Sequence, residues 1–283
     1  MNEQIVNKVK NTVVAAGSTF RQDKINAYKR AIEKETSSRA KWALEMILEN
    51  ALVAEQNKSP LCDDTGIPHI FIEIGGNKTL SAELLDDIYE GIAQGLEALP
   101  GRPMAIKGSD DQRIDQSGGL DYTSSAVLPA PLLIKKVEED VLRLHVIMQG
   151  GGPAIRGKTY RVFHKHSTEV VKDEIVAWAT EAVAQLGCSP CTLAIGIGRS
   201  QYEATALMME AQVYGDFDKQ SDFEQEITDR VNESGTGAMG LKGDVSVLGT
   251  FVKVGPQRAS GVRIVCLRPC CCFEPRIASV ELG

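Results

Sequence analysis

The chain has no run of about 18 consecutive apolar residues, the length a helix needs to cross a bilayer, so no membrane-spanning helix is expected. Its opening residues, MNEQIVNKVKNTVVAAGSTF, alternate polar and apolar side chains and lack the continuous apolar core of a signal peptide. A block of basic residues is missing too: 31 Lys and Arg are scattered among 38 Asp and Glu, for a net charge of -7. That spread argues against nucleic acid or an anionic membrane as the main partner, and an anionic substrate would need a local cluster of Arg and Lys. No internal repeat, low-complexity tract or linker interrupts the 283 residues. AIGIGRSQYEATALM passes from strand through Gly-x-Gly to helix, yet it lacks the third glycine of a dinucleotide fingerprint, and no Gly-Lys-Ser/Thr occurs. A nucleotide cofactor is therefore not expected, and a turn that binds a carboxylate is the simpler reading.

What is present is an ordinary globular composition, 43% hydrophobic and 24% charged. The length suits one domain, 1–283, or two lobes sharing a core, about 1–125 and 126–283. Apolar residues returning at three and four positions predict helices over 5–17, 22–35 and 37–57, the last capped at Thr36 or Ser37. A strand is expected over 69–74, and a helix from Ser81 that ends at Pro100-Gly101. Residues 101–124 carry Gly, Asp, Gln and Ser without periodicity and read as a long, functional loop. PLLIKKVEEDVLRLHVIM reads as a hairpin-like pair of strands around VEED, followed by Gln149-Gly150-Gly151-Gly152. Helices over 167–186, 200–213 and 221–233 and strands over 192–198, 245–254, 261–267 and 277–282 complete an α+β (mixed α/β) reading: a helical N-terminal region, then mixed sheets with packed helices.

A chain without leader or span is expected in the cytoplasm, where seven cysteines are more readily metal ligands, catalytic groups or small buried residues than disulfides. They fall in three turn-rich places: Cys62 in PLCDDTG, Cys188 and Cys191 in GCSPCTLAIGIG, and Cys266, Cys270, Cys271 and Cys272 in VCLRPCCCFEPR. Gly and Pro beside a cysteine let backbone and sulfur approach a cluster, whereas the bland alternative is a small buried hydrophobe. Cys188-x-x-Cys191 also invites a redox dithiol, disfavoured because Cys191 leads into a strand, or half of a zinc site completed by Cys270–Cys272, whose spacing is not C-x-x-C.

PLCDDTGIP, the GGG after a strand, CSPCTLAIGIG, GLKGDVSVLG and CCFEPRIASV together resemble, in this order and over the whole chain, the alpha subunit or N-terminal domain of the iron-sulfur class I fumarase and L(+)-tartrate dehydratase family. The resemblance implies a 4Fe-4S cluster held by Cys62, Cys188 and Cys272. Counting back from Gly196 and Gly198 selects Cys188 over Cys191, and Arg276 and Ala278 select Cys272 over Cys270 and Cys271, adjacent thiols that stay as alternatives. It further implies reversible dehydration of a small hydroxy-dicarboxylic acid, malate or tartrate, with a separately encoded beta subunit in an α2β2 assembly.

By the same resemblance, Asp64 and Arg102 are the catalytic candidates, and Asp63, Asp64, Arg102, Gly151 and Gly152 the substrate contacts. Two departures stand out. Asp63 replaces the family's Gln, setting a carboxylate beside an anionic substrate. VKVGPQRASG carries Arg258 and no His where the family has one, and none of His69, His145, His164 and His166 is assigned as the base. Two readings compete with the enzyme: a zinc-stabilised binding or scaffold protein, and a family member that has lost catalysis.

Overall fold

The computed structural model describes residues 1–99 and 101–283. Three helices lead, α1 (Glu3–Ser18), α2 (Gln22–Lys34) and α3 (Ser38–Asn57), and β1 (Ile67–Gly75) and α4 (Ala82–Ala98) follow. Next come β2 (Ala105–Ile106), α5 (Asp110–Ile114), β3 (Leu120–Asp121), β4 (Leu133–Val137), β5 (Leu142–Gln149), α6 (Gly151–Arg156) and β6 (Lys158–Phe163). The remainder is α7 (Thr168–Leu186), β7 (Cys191–Gly198), α8 (Gln201–Tyr214), α9 (Asp222–Asn232), β8 (Val247–Val254), β9 (Val262–Cys270) and β10 (Arg276–Glu281). The α+β class is the one expected. Pro100, at which the sequence ends the helix that becomes α4, lies outside the described residues.

The chain forms two compact units, one of residues 1–19, 51–150 and 276–283, the other of residues 20–50 and 151–275. In the first, the sheet order is β10-β5-β1-β4. Ile70 and Ile72 of β1, Leu144 and Val146 of β5, and Val280 of β10 line one face and pack on Val9 and Val13 of α1 and Ile88 and Ile92 of α4. Close approach of the two helices depends on small residues, since a Cβ on Gly91 would stand 2.6 Å from Val9 Cβ and one on Gly95 2.5 Å from Val13 Cβ. The other face mixes polar with apolar side chains: Phe71, His145 and Ser279 form one cross-strand row, Glu73, Arg143 and Glu281 the next. Arg143 binds Glu73 at 2.7 Å and Glu281 at 3.0 Å, and His145 Nδ1 lies 2.7 Å from Ser279 Oγ.

In the second unit the sheet order is β6-β9-β7-β8. Every residue of β7 is buried, as expected of a strand covered on both faces. Leu193, Ile195 and Ile197 meet α7 and α9 through Ile175, Val183, Ile227 and Val231. On the opposite face Gly196 lets α8 sit directly on the strand, because a Cβ there would lie 1.9 Å from the Ala204 carbonyl oxygen.

Two expectations are corrected. β4 and β5 do not form a hairpin: both pair with β1, β4 in parallel and β5 antiparallel, so β1 lies between them. The unexpected strand β6 pairs with β9 at the sheet edge and buries only Val162, a pattern too polar to announce itself. The 101–124 loop holds short elements, including α5, whose Ser109-x-x-Gln112 capping box was a readable start signal. α3 starts beside Ser37, whose hydroxyl accepts from Ala40 N–H at 3.5 Å, while Thr36 donates to Asp244.

Candidate active site

The first unit carries the loop that follows α3. Leu61 is buried and its N–H donates to the Gly17 carbonyl at 2.9 Å, which ties the loop to the end of α1. Cys62 follows, half-buried, with its thiol donating to Asp63 Oδ1 at 3.3 Å. Burial pushes that thiol's pKa up; the Asp64 amide and the Arg276 guanidinium act against the rise, and the Asp63 carboxylate adds to it. Asp63 is held below the ordinary carboxylate range, first by the Cys62 thiol and then by the Asp64 amide.

Asp63, Asp64 and Arg102 are brought together. The Asp63 carbonyl accepts the N–H groups of Thr65 and Arg102, both at 3.1 Å, and this draws residues 101–102 onto the cysteine loop. Gly101 permits the approach, since a Cβ there would meet Thr65 Cγ2 at 2.4 Å. Arg102 then faces Asp64 at 3.3 Å and Asp63 at 3.8 Å, with the Arg102 and Asp63 side chains 55% and 74% exposed and Asp64 only 18%. The loop is pinned from below by Arg276, 2% exposed, which donates to the Asp64 carbonyl at 2.6 Å. Gly66, at φ +86°, leaves room for that guanidinium, as a Cβ would stand 2.7 Å from Arg276 Nη2. The result is an exposed cation between two carboxylates beside a thiol.

Five other cysteines, Cys188, Cys191, Cys270, Cys271 and Cys272, interact electrostatically with one another in the second unit. Cys188 is exposed on the turn after Gly187, and its carbonyl accepts the Cys272 N–H at 2.8 Å. Cys191 begins β7 and Cys270 ends β9, both 0% exposed, and burial raises both thiols. Cys271 is half-buried, while Cys272 is 3% exposed and its pKa raised, chiefly by the neighbouring Cys271. Cys266 lies apart with Thr205, at 3.8 Å. Gly151 and Gly152 open the short helix α6 in this unit and are exposed, so the first turn of a helix stands where a glycine turn was expected.

Two residues that the sequence reading passed over hold the thiol strap. Tyr28 donates to the Cys272 carbonyl and Lys24 to the Glu274 carbonyl, both at 2.7 Å, and both side chains are buried. Their signal was Phe20, Lys24 and Tyr28 at a spacing of four, a lysine on the apolar stripe of α2. Glu274 places its carboxylate on Arg268 at 3.0 Å. No three His, Cys, Asp or Glu side chains among those residues form a ready-made metal-binding set. The donor chemistry nevertheless fits an anionic thiolate group, because burying a cation is costly without an anion and the groups acting on Lys24 are Cys271, Cys272 and Cys270 ahead of Glu274.

The model of the family described as fumarate hydratase (Fumerase) matches residues 6–281. The chain belongs to that family. A Methanocaldococcus jannaschii protein, provisionally named an L(+)-tartrate dehydratase alpha subunit, is 26% identical over 91% of this chain and 90% of its own length. The L(+)-tartrate dehydratase alpha subunit of Escherichia coli strain K12 is 24% identical over 95% of this chain and 89% of its own. Hydratase and dehydratase name two directions of one reaction class, so the family places this chain among hydro-lyase enzymes. No helix among the described residues is long and apolar enough to cross a membrane.

Proposed function

We propose that this chain is the cluster-bearing alpha subunit of a cytosolic hydro-lyase that dehydrates a small hydroxy-dicarboxylic acid of the malate or tartrate type, together with a beta subunit in an α2β2 assembly. The observation that carries the reading is the loop in which Cys62, Asp63, Asp64 and Arg102 meet, within a chain matched by the family over residues 6–281. The relatives' names, which are those of alpha subunits, support the partner.

Cys62, Cys188 and Cys272 are the proposed ligands of a 4Fe-4S cluster. A cluster held by three thiolates supplies, when bound, one iron free of protein ligands that acts as a Lewis acid toward a hydroxyl and a carboxylate oxygen. Exposure favours Cys188 over Cys191, because Cys188 faces solvent and Cys191 is packed in the core at the start of β7. Arg102 clamps a substrate carboxylate, its guanidinium offering paired N–H donors in the plane of the acid. In the free enzyme Asp63 and Asp64 occupy that guanidinium, so substrate binding exchanges one carboxylate for another. Asp64 is the better held of the two acids, through Arg276 on its carbonyl, and is the candidate to orient the substrate hydroxyl. Gly151 and Gly152, both exposed at the start of α6, are the proposed contacts of a second carboxylate. The base that takes the carbon-bound proton is assigned to no residue of this chain.

Iron and acid-labile sulfide analysis of anaerobically purified protein is the test. Iron bound by the parent chain and lost in Cys62→Ser, Cys188→Ser and Cys272→Ser, but kept in Cys191→Ser, with turnover of tartrate or malate only beside the beta subunit, is the expected result. Air-stable zinc at one equivalent, or no metal at all, overturns it.

A further inference from the structure

Helix α2 is amphipathic, and its buried face consists of Lys24, Ala27, Tyr28 and Ala31. A lysine on such a face is out of pattern, because an ammonium loses its hydration there and needs an anion in exchange. Lys24 is 2% exposed, with Nζ 4.4 Å from the centre of the Phe20 ring and 2.7 Å from the Glu274 carbonyl oxygen. One neutral carbonyl and one ring face do not balance a full charge. The carboxylate of Glu274 is held by Arg268, itself 6% exposed, at 3.0 Å and acts on Lys24 less than the strap's sulfurs do. The carbonyl it binds lies two residues beyond the strap of Cys270, Cys271 and Cys272, whose sulfurs are the strongest charges acting on the ammonium. Burial pushes Lys24 down to about 8 against the pull of those sulfurs. Four residues on, Tyr28 donates to the Cys272 carbonyl, so one helix face grips the strap at two points.

We propose that Lys24 is the counter-cation of this strap: in the cluster-loaded protein its ammonium offsets the negative charge of the Cys272 thiolate and of the cluster it ligates, and thereby raises the cluster's reduction potential and retards its loss. The inference rests on the cluster reading given above. The physical reason is that a fixed positive charge in a low-dielectric surround stabilises the more negative, reduced state more than the oxidised one. Lys24 is in this sense a positioning and tuning residue. It reaches no substrate.

The test compares the full-length parent chain with Lys24→Met, which removes charge and hydrogen bond, and Lys24→Gln, which keeps a donor for the Glu274 carbonyl and removes only charge. Each is reconstituted anaerobically with iron and sulfide, assayed for both, and titrated electrochemically through the one-electron couple of the bound cluster, with iron release to a chelator followed in parallel. Both variants are expected to keep the parent's secondary structure, to move the midpoint potential in the negative direction by similar amounts, and to release iron severalfold faster. Unchanged potentials in variants that load like the parent overturn the proposal and leave the cluster reading intact. A shift in Lys24→Met that Lys24→Gln restores also overturns it, because the hydrogen bond and not the charge is then the agent. If Lys24→Met does not fold, Lys24→Gln against the parent decides alone. A parent chain that binds no iron overturns the cluster reading, and this inference with it.

Discussion

The two units share one sheet plan and put it to opposite uses. In the first, β1 runs parallel to β4 and antiparallel to β5, which is antiparallel to β10 at the edge; in the second, β7 runs parallel to β8 and antiparallel to β9, which is antiparallel to β6 at the edge. Each parallel pair is joined by a connection that contains helix, α4 and α5 in one case and α8 and α9 in the other. The edge strand differs only in its origin: β6 precedes its sheet in the chain, whereas β10 is the chain's last strand. Equal plans have unequal chemistry. The first unit leaves an ion-pair network on one face and an exposed Arg102 between two acids, while the second buries thiols under a lysine and covers β7 on both faces. Strand order therefore dictates where loops can emerge. The residue types on those loops settle the chemistry.

The sharpest way to break the comparison is at the glycines where helix meets its neighbour. Gly196→Ala sets a methyl 1.9 Å from the Ala204 carbonyl oxygen and 2.4 Å from Met208 N, both backbone atoms, so α8 must move off β7. Gly91→Ala in α4 meets the Val9 side chain at 2.6 Å and the Val6 carbonyl oxygen at 2.8 Å, partly repaid by better helix propensity. Overpacking of this kind costs about 1–3 kcal/mol, with Gly196→Ala expected at the top of the range or beyond and Gly91→Ala lower, as denaturant unfolding would measure. Equal losses would mean that the second unit yields as readily as the first.

A smaller effect separates the two acids of the first unit. Asp63→Gln removes a carboxylate 3.8 Å from Arg102 and leaves the closer pair with Asp64 intact. For pairs this exposed the change is worth about 1 kcal/mol or less, so kcat/KM for a dicarboxylate should rise up to about fivefold, mostly through KM. A fall instead would make Asp63 a working group of the site.

The smallest effect expected is that of His145 on stability as the pH changes. Burial lowers its pKa from 6.5, Glu73 pulls the other way, and Arg143 adds to the lowering. Since the unfolded chain takes up a proton near 6.5 and the folded chain only below it, stability is full above 6.5 and declines as the pH falls through 6.5 toward the folded value. Unfolding free energies between about pH 8 and 5 should thus show a slope that His145→Asn reduces. An unchanged slope would assign it to other groups.

Much of this was legible along the chain. The helix periods of α1 to α4 and the apolar run of β7 are local consequences of residue order, and the structure follows them within a few residues. Asp63, Asp64 and Arg102 were singled out by motif and do meet. β6 escaped because an edge strand with one buried side chain has no period to detect, and the β4–β5 pairing was misread because adjacency in sequence does not forbid a third strand from entering between.

Residue order alone settled the family, the α+β class and the helix spans and singled out the candidate chemistry-bearing residues, because each of these depends on short-range pattern or on a run of motif letters. Tertiary structure alone decided that Cys188 is exposed and Cys191 is not, that Arg276 holds up the Asp64 loop, and that Lys24, some 250 positions from its carbonyl acceptor, feels thiols ahead of any carboxylate. Those facts turn on which distant segments share a dry space, where a charge must find its partner, and no local pattern carries that information.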